Sequence, residues 1–250
     1  MNRYLLFRLY GPMAAWGGTA VGEYRPSDAQ PSRTAILGLL AAAVGIRRDQ
    51  EDALNDLDRS VEIAVRLDMP GEVMRDYHTT QVPPEGKKLR YYGRSDETRS
   101  EKLHTILSQR DYRTDSGASV ALRLLSADAD RLAGWQAALR APVFPLYLGR
   151  KSCPLALPTD PCIADATNFE SAFAAYPGCG SQLAKLDSGW QDRSAPELIR
   201  YFWEGDDNSL QATMSYPRRD RLLSRRRWQF STRTEYQAAH STDSAVDKES

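Results

Sequence analysis

Residues 31–46, PSRTAILGLLAAAVGI, constrain the fold of this chain more than any other stretch of its sequence. Ser32 is a favourable N-cap residue, apolar residues then recur at helical spacing, and Gly45 stands where a left-handed C-terminal stop is expected. The pattern predicts an amphipathic helix that packs one face against a core. Ser32, Arg33 and Thr34 at its open end could hold an anion such as a phosphate. The alternative is that Ser32 is only a cap and Arg33 is solvated.

Patterns along the first part of the chain predict a mixed α+β fold. A strand at residues 4–10 precedes the helix, and residues 61–67 alternate between apolar and polar side chains, as in a strand with one buried face. Further strands are predicted at residues 73–81 and 119–125, and a second amphipathic helix at residues 128–139. This order fits a ferredoxin-like, RNA-recognition-type layer. In that arrangement two helices cover one face of an antiparallel sheet and the other face is free for a ligand.

The regularity of the pattern also suggests a domain organisation. Residues 1–150 are predicted to form the ferredoxin-like domain, interrupted at about residues 83–112 by an irregular insertion rich in Pro, Gly, Tyr and basic residues. Residues 151–239 are less regular and are predicted to form a smaller β-rich C-terminal lobe. The polar tail at residues 240–250 should be disordered.

The charges of the chain are balanced overall but clustered locally. The 33 basic and 33 acidic residues cancel, so any nucleic-acid binding must come from local clusters. Residues 87–113 hold eight basic residues against four acidic ones, interleaved with tyrosines on which unpaired bases can stack. Residues 218–233 hold seven arginines against one aspartate, and the RRRW run at residues 225–228 could bind RNA or a partner protein. The acidic stretch at residues 49–62 is expected to be solvated and to point away from any polyanion.

Several classes of protein are not supported by the sequence. Cys153, Cys162 and Cys179 are spaced neither as CxxC pairs nor as a Cys/His zinc site, so no disulfide framework, metal or cofactor is expected. The apolar N-terminal run is broken by Arg8, and no stretch approaches the roughly 20 apolar residues of a membrane span. We therefore expect a cytoplasmic protein without membrane contact.

Five segments, in the same order, resemble one protein family. They are YLLFRLYGPMAAWG from Tyr4, PSRTAILGLLAAAVGI from Pro31, RDYHTT from Arg75, RDYRTDSGASVALRL from Arg110 and YLGRKSCPLALP from Tyr147. On these segments, which lie within residues 1–160, the chain resembles the Cas5 family of the RAMP superfamily, in its type I-E CRISPR branch.

The resemblance implies a non-catalytic RNA-binding subunit of the CRISPR surveillance complex Cascade. Such a subunit grips the 5′ handle of the mature crRNA and caps one end of the complex. Its arm-like thumb, which here corresponds to about residues 83–112, bends the RNA near the junction of handle and spacer and touches the adjacent backbone subunit. The large subunit docks nearby, and target DNA is reached only indirectly, through the complex.

The predicted RNA-binding site combines cations, hydroxyls and flat side chains. Gly149 permits close approach of the backbone in a short loop whose next residues contact phosphates, although a plain surface turn has a similar sequence. No catalytic residue is expected. The predicted RNA-binding residues are Arg25, Ser32, Arg33, Thr34, Tyr77, His78, Arg94, Arg99, Lys102, Arg110, Tyr112, Arg113, Arg150, Lys151 and Ser152.

An enzymatic alternative stays open, because related Cas5 proteins of another CRISPR subtype are metal-independent endoribonucleases that process precursor crRNA. That chemistry needs a base for the ribose 2′-OH and a cation for the developing charge. Tyr77, His78, Lys87 and His104 have suitable side chains. In the type I-E branch, however, a different subunit cuts the repeat, and His78 would then only hydrogen-bond the sheet or the RNA.

Overall fold

The computed structural model describes residues 1–84, 91–99, 102–126, 128–178 and 198–241. The helices in these ranges are α1 (Arg33–Val44), α2 (Glu51–Arg59), α3 (Arg94–Glu97), α4 (Ala129–Arg140) and α5 (Phe169–Ala174). The strands are β1 (Asn2–Ala14), β2 (Trp16–Gly17), β3 (Tyr24–Arg25), β4 (Ser27–Asp28), β5 (Val61–Met69), β6 (Glu72–Val82), β7 (His104–Leu124), β8 (Cys162–Ala166), β9 (Leu198–Trp203), β10 (Met214–Ser224) and β11 (Gln229–Ser241).

Helix α1 has both of the end signals that its sequence predicts. The Ser32 hydroxyl accepts a hydrogen bond from the Ala35 amide at 3.2 Å. Gly45 closes the helix in the left-handed region, with φ of 86°, where a side chain would be strained. The apolar face carries Ile36 and Leu40 into the core, so the predicted helix is confirmed.

One sheet of nine strands runs through the described chain. Its main path has the order β10-β11-β9-β5-β7-β1-β8, and β3 and β6 pair with β7 off this path. Strand β8 is hydrogen-bonded to β1, and β9 to β5, so segments beyond residue 150 extend the sheet at both sides. The predicted lobe at residues 151–239 therefore does not form a separate sheet.

Both faces of the central strands are covered. On one face α1 and α4 share a hydrophobic core with Leu5, Phe7 and Leu9 of β1. On the other face Tyr4 is fully buried and meets the ring edge of Phe169 from α5 at 5.4 Å. The prediction that this second face is free for a ligand is wrong. Since β1 is apolar at nearly every position, both of its faces need cover.

Strands β6 and β7 form a two-stranded arm that projects from the sheet. The pairing runs from Glu72 opposite Thr114 to Val82 opposite His104. Residues 104–112 are therefore regular strand, and the predicted irregular insertion at 83–112 is wrong for this half. Strand β7 is 21 residues long and continues from the arm into the central sheet between β5 and β1. It bends where the two parts meet, at Asp115, whose φ is 50°.

Three further predictions concern the C-terminal tail, the cysteines and membrane-spanning helices. His240 and Ser241 belong to β11, so disorder is wrong for these two residues, whereas residues 242–250 lie outside the described ranges. Cys153 and Cys162 are free thiols, and Cys179 lies outside the described residues. Among the helices described, none combines the length and apolar character needed to cross a bilayer.

Candidate nucleic-acid interface

The base of the arm is organised by a tripeptide that occurs twice. Arg-Asp-Tyr stands at residues 75–77 on β6 and at residues 110–112 on β7. The strand register sets Arg75 opposite Asp111 and places Asp76 opposite Arg110. Because opposed residues of an antiparallel pair share a face, each face of the arm receives one arginine and one aspartate.

On one face, the pair of Arg75 and Asp111 also holds Tyr24 of β3. The Arg75 Nε donates to Asp111 Oδ1 at 2.8 Å, and the Tyr24 hydroxyl donates to Asp111 Oδ2 at 2.5 Å. The hydrogen bond from Arg75 lowers the pKa of the Asp111 carboxyl, and the bond to Asp111 raises the pKa of Tyr24. Sequence reasoning missed Tyr24 and Arg75. The repeated Arg-Asp-Tyr is the signal that could have found the pairing.

A glycine turn brings Arg150 against the arm. Gly149 has φ of 84°, and a Cβ at this position would stand 1.9 Å from the Ala15 carbonyl oxygen, so only glycine fits. The Arg150 guanidinium then lies 4.6 Å from the ring centroid of Tyr112. Its Nη1 donates to the Asp111 backbone carbonyl at 3.5 Å. The two residues that follow, Lys151 and Ser152, are exposed.

Three more predicted cations lie on β3 and β7 at the base of the arm. Arg110 Nε donates to Ser108 Oγ at 3.2 Å, and Arg113 Nε donates to the Asp28 carbonyl at 3.3 Å. Arg25, exposed on β3, is the register partner of Arg110. No ion pair with a carboxylate is formed by Arg25, Arg110, Arg113 or Arg150 within the described ranges. We call these four arginines and Tyr112 the arm-base cluster. Tyr112 is only 9% exposed and belongs to the hydrophobic core, so its ring supports Arg150 and the expectation that it offers an open face to a base is wrong.

The predicted cations at the arm tip are partly paired with acidic neighbours. Arg94 contacts Glu97 at 2.6 Å within the short helix α3, and Arg99, just after that helix, lies 3.7 Å from Asp96. Such exposed pairs are weak, about 0 to 1 kcal/mol, and a competing phosphate can displace them. Lys102 is exposed near the start of β7.

The residues of the enzymatic alternative are dispersed along the arm. Tyr77 and His78 are consecutive strand residues and so point to opposite faces of β6. His78 Nδ1 lies 3.6 Å from Asp76 Oδ2. His104 pairs with Val82, four residues beyond His78 on β6 and hence roughly 13 Å along the strand. Lys87 lies outside the described residues.

The predicted anion pocket at the start of α1 is wrong. Arg33 is only 2% exposed, and its guanidinium donates to Asp58 Oδ1 at 2.7 Å and to Glu204 Oε1 at 3.0 Å. Its backbone amide donates to Asp220 Oδ2 at 2.9 Å, so a carboxylate of β10 occupies the place that a phosphate was expected to fill. Ser32 is buried as the cap and Thr34 is half-buried. Asp58, which was expected to be solvated, is buried as well.

The C-terminal arginines divide into two groups. Arg233 joins the network of Arg33 by bonding Asp220 Oδ1 at 2.7 Å, and Arg218 pairs with Glu235 at 3.2 Å. Burial alone would lower the pKa of Arg233, but its bonds to Asp220 and the nearby acids outweigh burial and raise it. We call Arg33, Asp58, Glu204, Asp220 and Arg233 the buried ion cluster. The arginines at residues 225–227 instead lie in an outward turn between β10 and β11.

Comparison with known proteins agrees with this architecture. The family model described as CRISPR-associated protein (Cas_Cas5) matches residues 4–236. The CRISPR system Cascade subunit CasD of Escherichia coli (strain K12) is 34% identical over 197 residues, which cover 75% of this chain and 83% of that protein.

Two solved structures have the same fold. A chain of a CRISPR RNA-guided surveillance complex is 25% identical, with a TM-score of 0.63, and the match covers 95% of this chain and 90% of that one. A structure described as a Cas protein is 23% identical with a TM-score of 0.61 over 96% of both chains, a likeness of fold alone. The family model spans nearly the whole described chain and the CasD relative is more than 30% identical, so this chain belongs to the Cas5 family of CRISPR-associated proteins.

Proposed function

We propose that this chain is a non-catalytic crRNA-binding subunit of a type I-E Cascade complex, in which it grips the 5′ handle and caps one end for antiviral DNA targeting. The observation that carries the proposal is the arm-base cluster. Within the described residues its four guanidiniums form no ion pair with a carboxylate within 4.0 Å, and that of Arg150 lies over the ring of Tyr112. The name of the CasD relative, a Cascade subunit, supports the same assignment.

The arm-base cluster has the chemistry that single-stranded RNA requires. A guanidinium is planar and always charged, and it can donate two parallel hydrogen bonds to one phosphate. Arg150 is already oriented by its contact with Tyr112, so little side-chain entropy is lost when it meets a phosphate. The Gly149 turn leaves Lys151 and Ser152 exposed next to Arg150, where a phosphate can reach them. Phosphate contacts of this kind fix the register of a strand without reading its bases.

The connectivity of the central strands supports a ferredoxin-like core with a thumb. Four antiparallel strands lie in the order β5-β7-β1-β8, with α1 between β1 and β5 and α4 between β7 and β8 in the chain. Two helices on one face of four strands in this order are typical of that fold. In this proposal the arm of β6 and β7 is the thumb and touches the backbone subunit, while the large subunit docks nearby. Target DNA is met only through the assembled complex.

The assay for this proposal scores retention and cleavage of RNA together. The purified protein is incubated in EDTA with a labelled repeat RNA and with a matching mature crRNA. We expect retention of the RNA that carries the 5′ handle, no cutting, and an affinity that falls as salt rises, by a log-log slope of about 0.7 per neutralised phosphate. Cleavage within the repeat that is lost in His78→Ala or Tyr77→Phe would instead identify a processing enzyme. Absence of retention at low salt contradicts both functions.

A further inference from the structure

An apolar groove lies on the side of α1 that faces away from the sheet. It has a volume of about 630 Å³ and is bounded by α1, α2, residues 144–147 and the end of β10. Leu37, Ala41, Leu54 and Leu222 line it, and Phe144 and Tyr147 add flat rings. The space exceeds one nucleobase and falls within the range of ligand sites, about 300 to 1,000 Å³.

The mouth of the groove is cationic. Arg47, Arg48, Lys151 and Arg225 stand along it. Within the described chain none of these four forms an ion pair with a carboxylate, in contrast to Arg33 in the first turn of the same helix. The groove therefore presents an apolar interior beneath unneutralised positive charge, which fits a ligand with flat apolar parts and negative groups.

Trp228 stands beside this mouth, next to two guanidiniums. Its ring centroid lies 4.4 Å from Arg225 and 5.5 Å from Arg48, and the residue is 58% exposed. The backbone of Trp228 has φ of 56°, an uncommon conformation for a bulky residue. Burial and the neighbouring charge of Arg48 lower the pKa of Arg225, as expected where two cations share one ring without an anion.

The groove is continuous with the loop of the proposed RNA site. Lys151 lines the groove and directly follows Arg150 of the arm-base cluster. Thr34 lines it from the first turn of α1. A strand of RNA that passes Arg150 would therefore reach the groove without leaving cationic surface.

We propose that this groove takes unpaired bases of the bound single-stranded RNA, with Trp228 as a stacking platform and phosphates on Arg48, Arg225 and Lys151. The inference rests on the proposed function and adds a second contact region to it. An acidic segment of a partner protein also matches the charge, but two guanidiniums against one indole and continuity with Arg150 favour a strand that alternates bases and phosphates.

Filling the groove tests the inference without disturbing the core. Gly38 on α1 lines the groove, and a Cβ there meets nothing within 4 Å, so Gly38→Trp should fold and block the space. Gly134 on α4 is equally open and lies outside the groove, which makes Gly134→Trp the matched control. Binding of a fluorescent crRNA is measured by anisotropy, and thermal melts check folding. We expect roughly tenfold weaker binding for Gly38→Trp and unchanged binding for Gly134→Trp.

Two further readouts separate bases from phosphates. Trp228→Ala should weaken binding without changing its salt dependence, whereas Arg48→Ala with Arg225→Ala should lower the log-log salt slope by about 1.4. A photoreactive 4-thiouridine in the RNA should crosslink to the peptide that contains Trp228.

The outcomes distinguish this inference from the function on which it rests. If the wild type retains no RNA, the proposed function and the groove assignment both fail. If Arg110→Ala with Arg150→Ala weakens binding but Gly38→Trp, Trp228→Ala and the crosslink show no effect, the RNA function stands and the groove assignment is overturned. In that case an acidic protein segment becomes the occupant to examine.

Discussion

The buried ion cluster and the arm-base cluster are both built from arginines of charged sequence segments, yet they have opposite properties. In the first, the side chains of Arg33 and Arg233 are almost inaccessible, and they contact two and three carboxylates, respectively. In the second, Arg110 and Arg113 bond only a hydroxyl and a carbonyl oxygen. A count of basic residues therefore locates charge but does not show whether that charge is available. Whether the charge is available depends on the residues that the fold places next to each arginine from elsewhere in the chain.

The pKa values of acidic residues also differ between the buried ion cluster and the arm base. Burial raises the pKa of Glu204 in the buried ion cluster, despite the charge of Arg33 beside it. At the arm base, the hydrogen bond from Arg75 lowers the pKa of Asp111. Desolvation has the larger effect on the pKa of Glu204, and hydrogen bonding has the larger effect on the pKa of Asp111. Removing a partner should therefore be costly in the core and mild at the arm.

The largest effect is expected from Arg33→Ala. The change leaves Asp58 and Glu204 buried with fewer partners, and such breaks cost about 3 to 5 kcal/mol in the free energy of unfolding. Urea denaturation followed by circular dichroism measures it. Arg3→Ala, which removes an exposed pair with Asp165 at 3.4 Å, is the control and should change stability by less than about 1 kcal/mol. Equal losses of unfolding free energy in the two variants would contradict the expected difference between buried and exposed ion pairs.

A smaller loss is expected from Gly149→Ala. The new Cβ would clash with the Ala15 carbonyl in a backbone region that disfavours side chains, at a cost of about 1 to 3 kcal/mol, and Arg150 would shift from Tyr112. Thermal melts and RNA anisotropy report the two consequences. Gly38→Ala, at an open helical position, should instead stabilise by about 0.5 to 1 kcal/mol. Stability of Gly149→Ala at the wild-type level would show that the turn can relax.

Arg110→Ala combined with Arg150→Ala should weaken crRNA binding by about tenfold and lower the log-log salt slope by about 1.4, while leaving the unfolding free energy nearly unchanged. Anisotropy titrations at several salt concentrations measure both quantities. Arg131→Ala combined with Arg140→Ala, on α4, is the matched control with the same loss of charge. An equal decrease in both double variants would mean that the arm-base cluster has no special part in binding.

The smallest effect is expected from Asp111→Asn, and it concerns pH. A carboxyl whose pKa is lower in the folded than in the unfolded state stabilises above its ordinary value near 3.9, and this contribution is lost as pH falls through the folded pKa. The wild type should therefore lose stability more steeply than Asp111→Asn below about pH 4. Melting temperatures from pH 3 to 6 compare the two slopes. Parallel curves would indicate that Arg75 does not stabilise the ionised form.

The sequence predicted those parts of the fold that local pattern determines. The helices α1 and α4 and the strands β5 and β6 follow from periodicity and end signals. The environment of Arg33 could not be found in this way, because its amide bonds Asp220, 187 residues along the chain. The cover on the second face of the sheet likewise comes from α5, far from β1 in sequence.

The cations of the candidate site could be predicted from local sequence, but the strand pairing at the arm base could not. Arg110, Arg113 and Arg150 lie on strands and loops whose sequences are locally cationic, and in the structure each bonds a hydroxyl or a backbone carbonyl. The register that pairs Arg75 with Asp111 requires knowing that β6 and β7 are partners. Once the Arg-Asp-Tyr repeat is aligned in antiparallel sense, that register follows from residue types alone.

The long strand β7 has a consequence for the entropy of the proposed binding of RNA. Since one continuous strand runs from the arm into the central sheet and bends at Asp115, the direction of the arm is fixed by backbone hydrogen bonds on both sides of the bend. To reorient it, ladder bonds would have to break. The direction of the arm is therefore set when the protein folds. If a nucleic acid binds there, the arm has little conformational entropy left to lose.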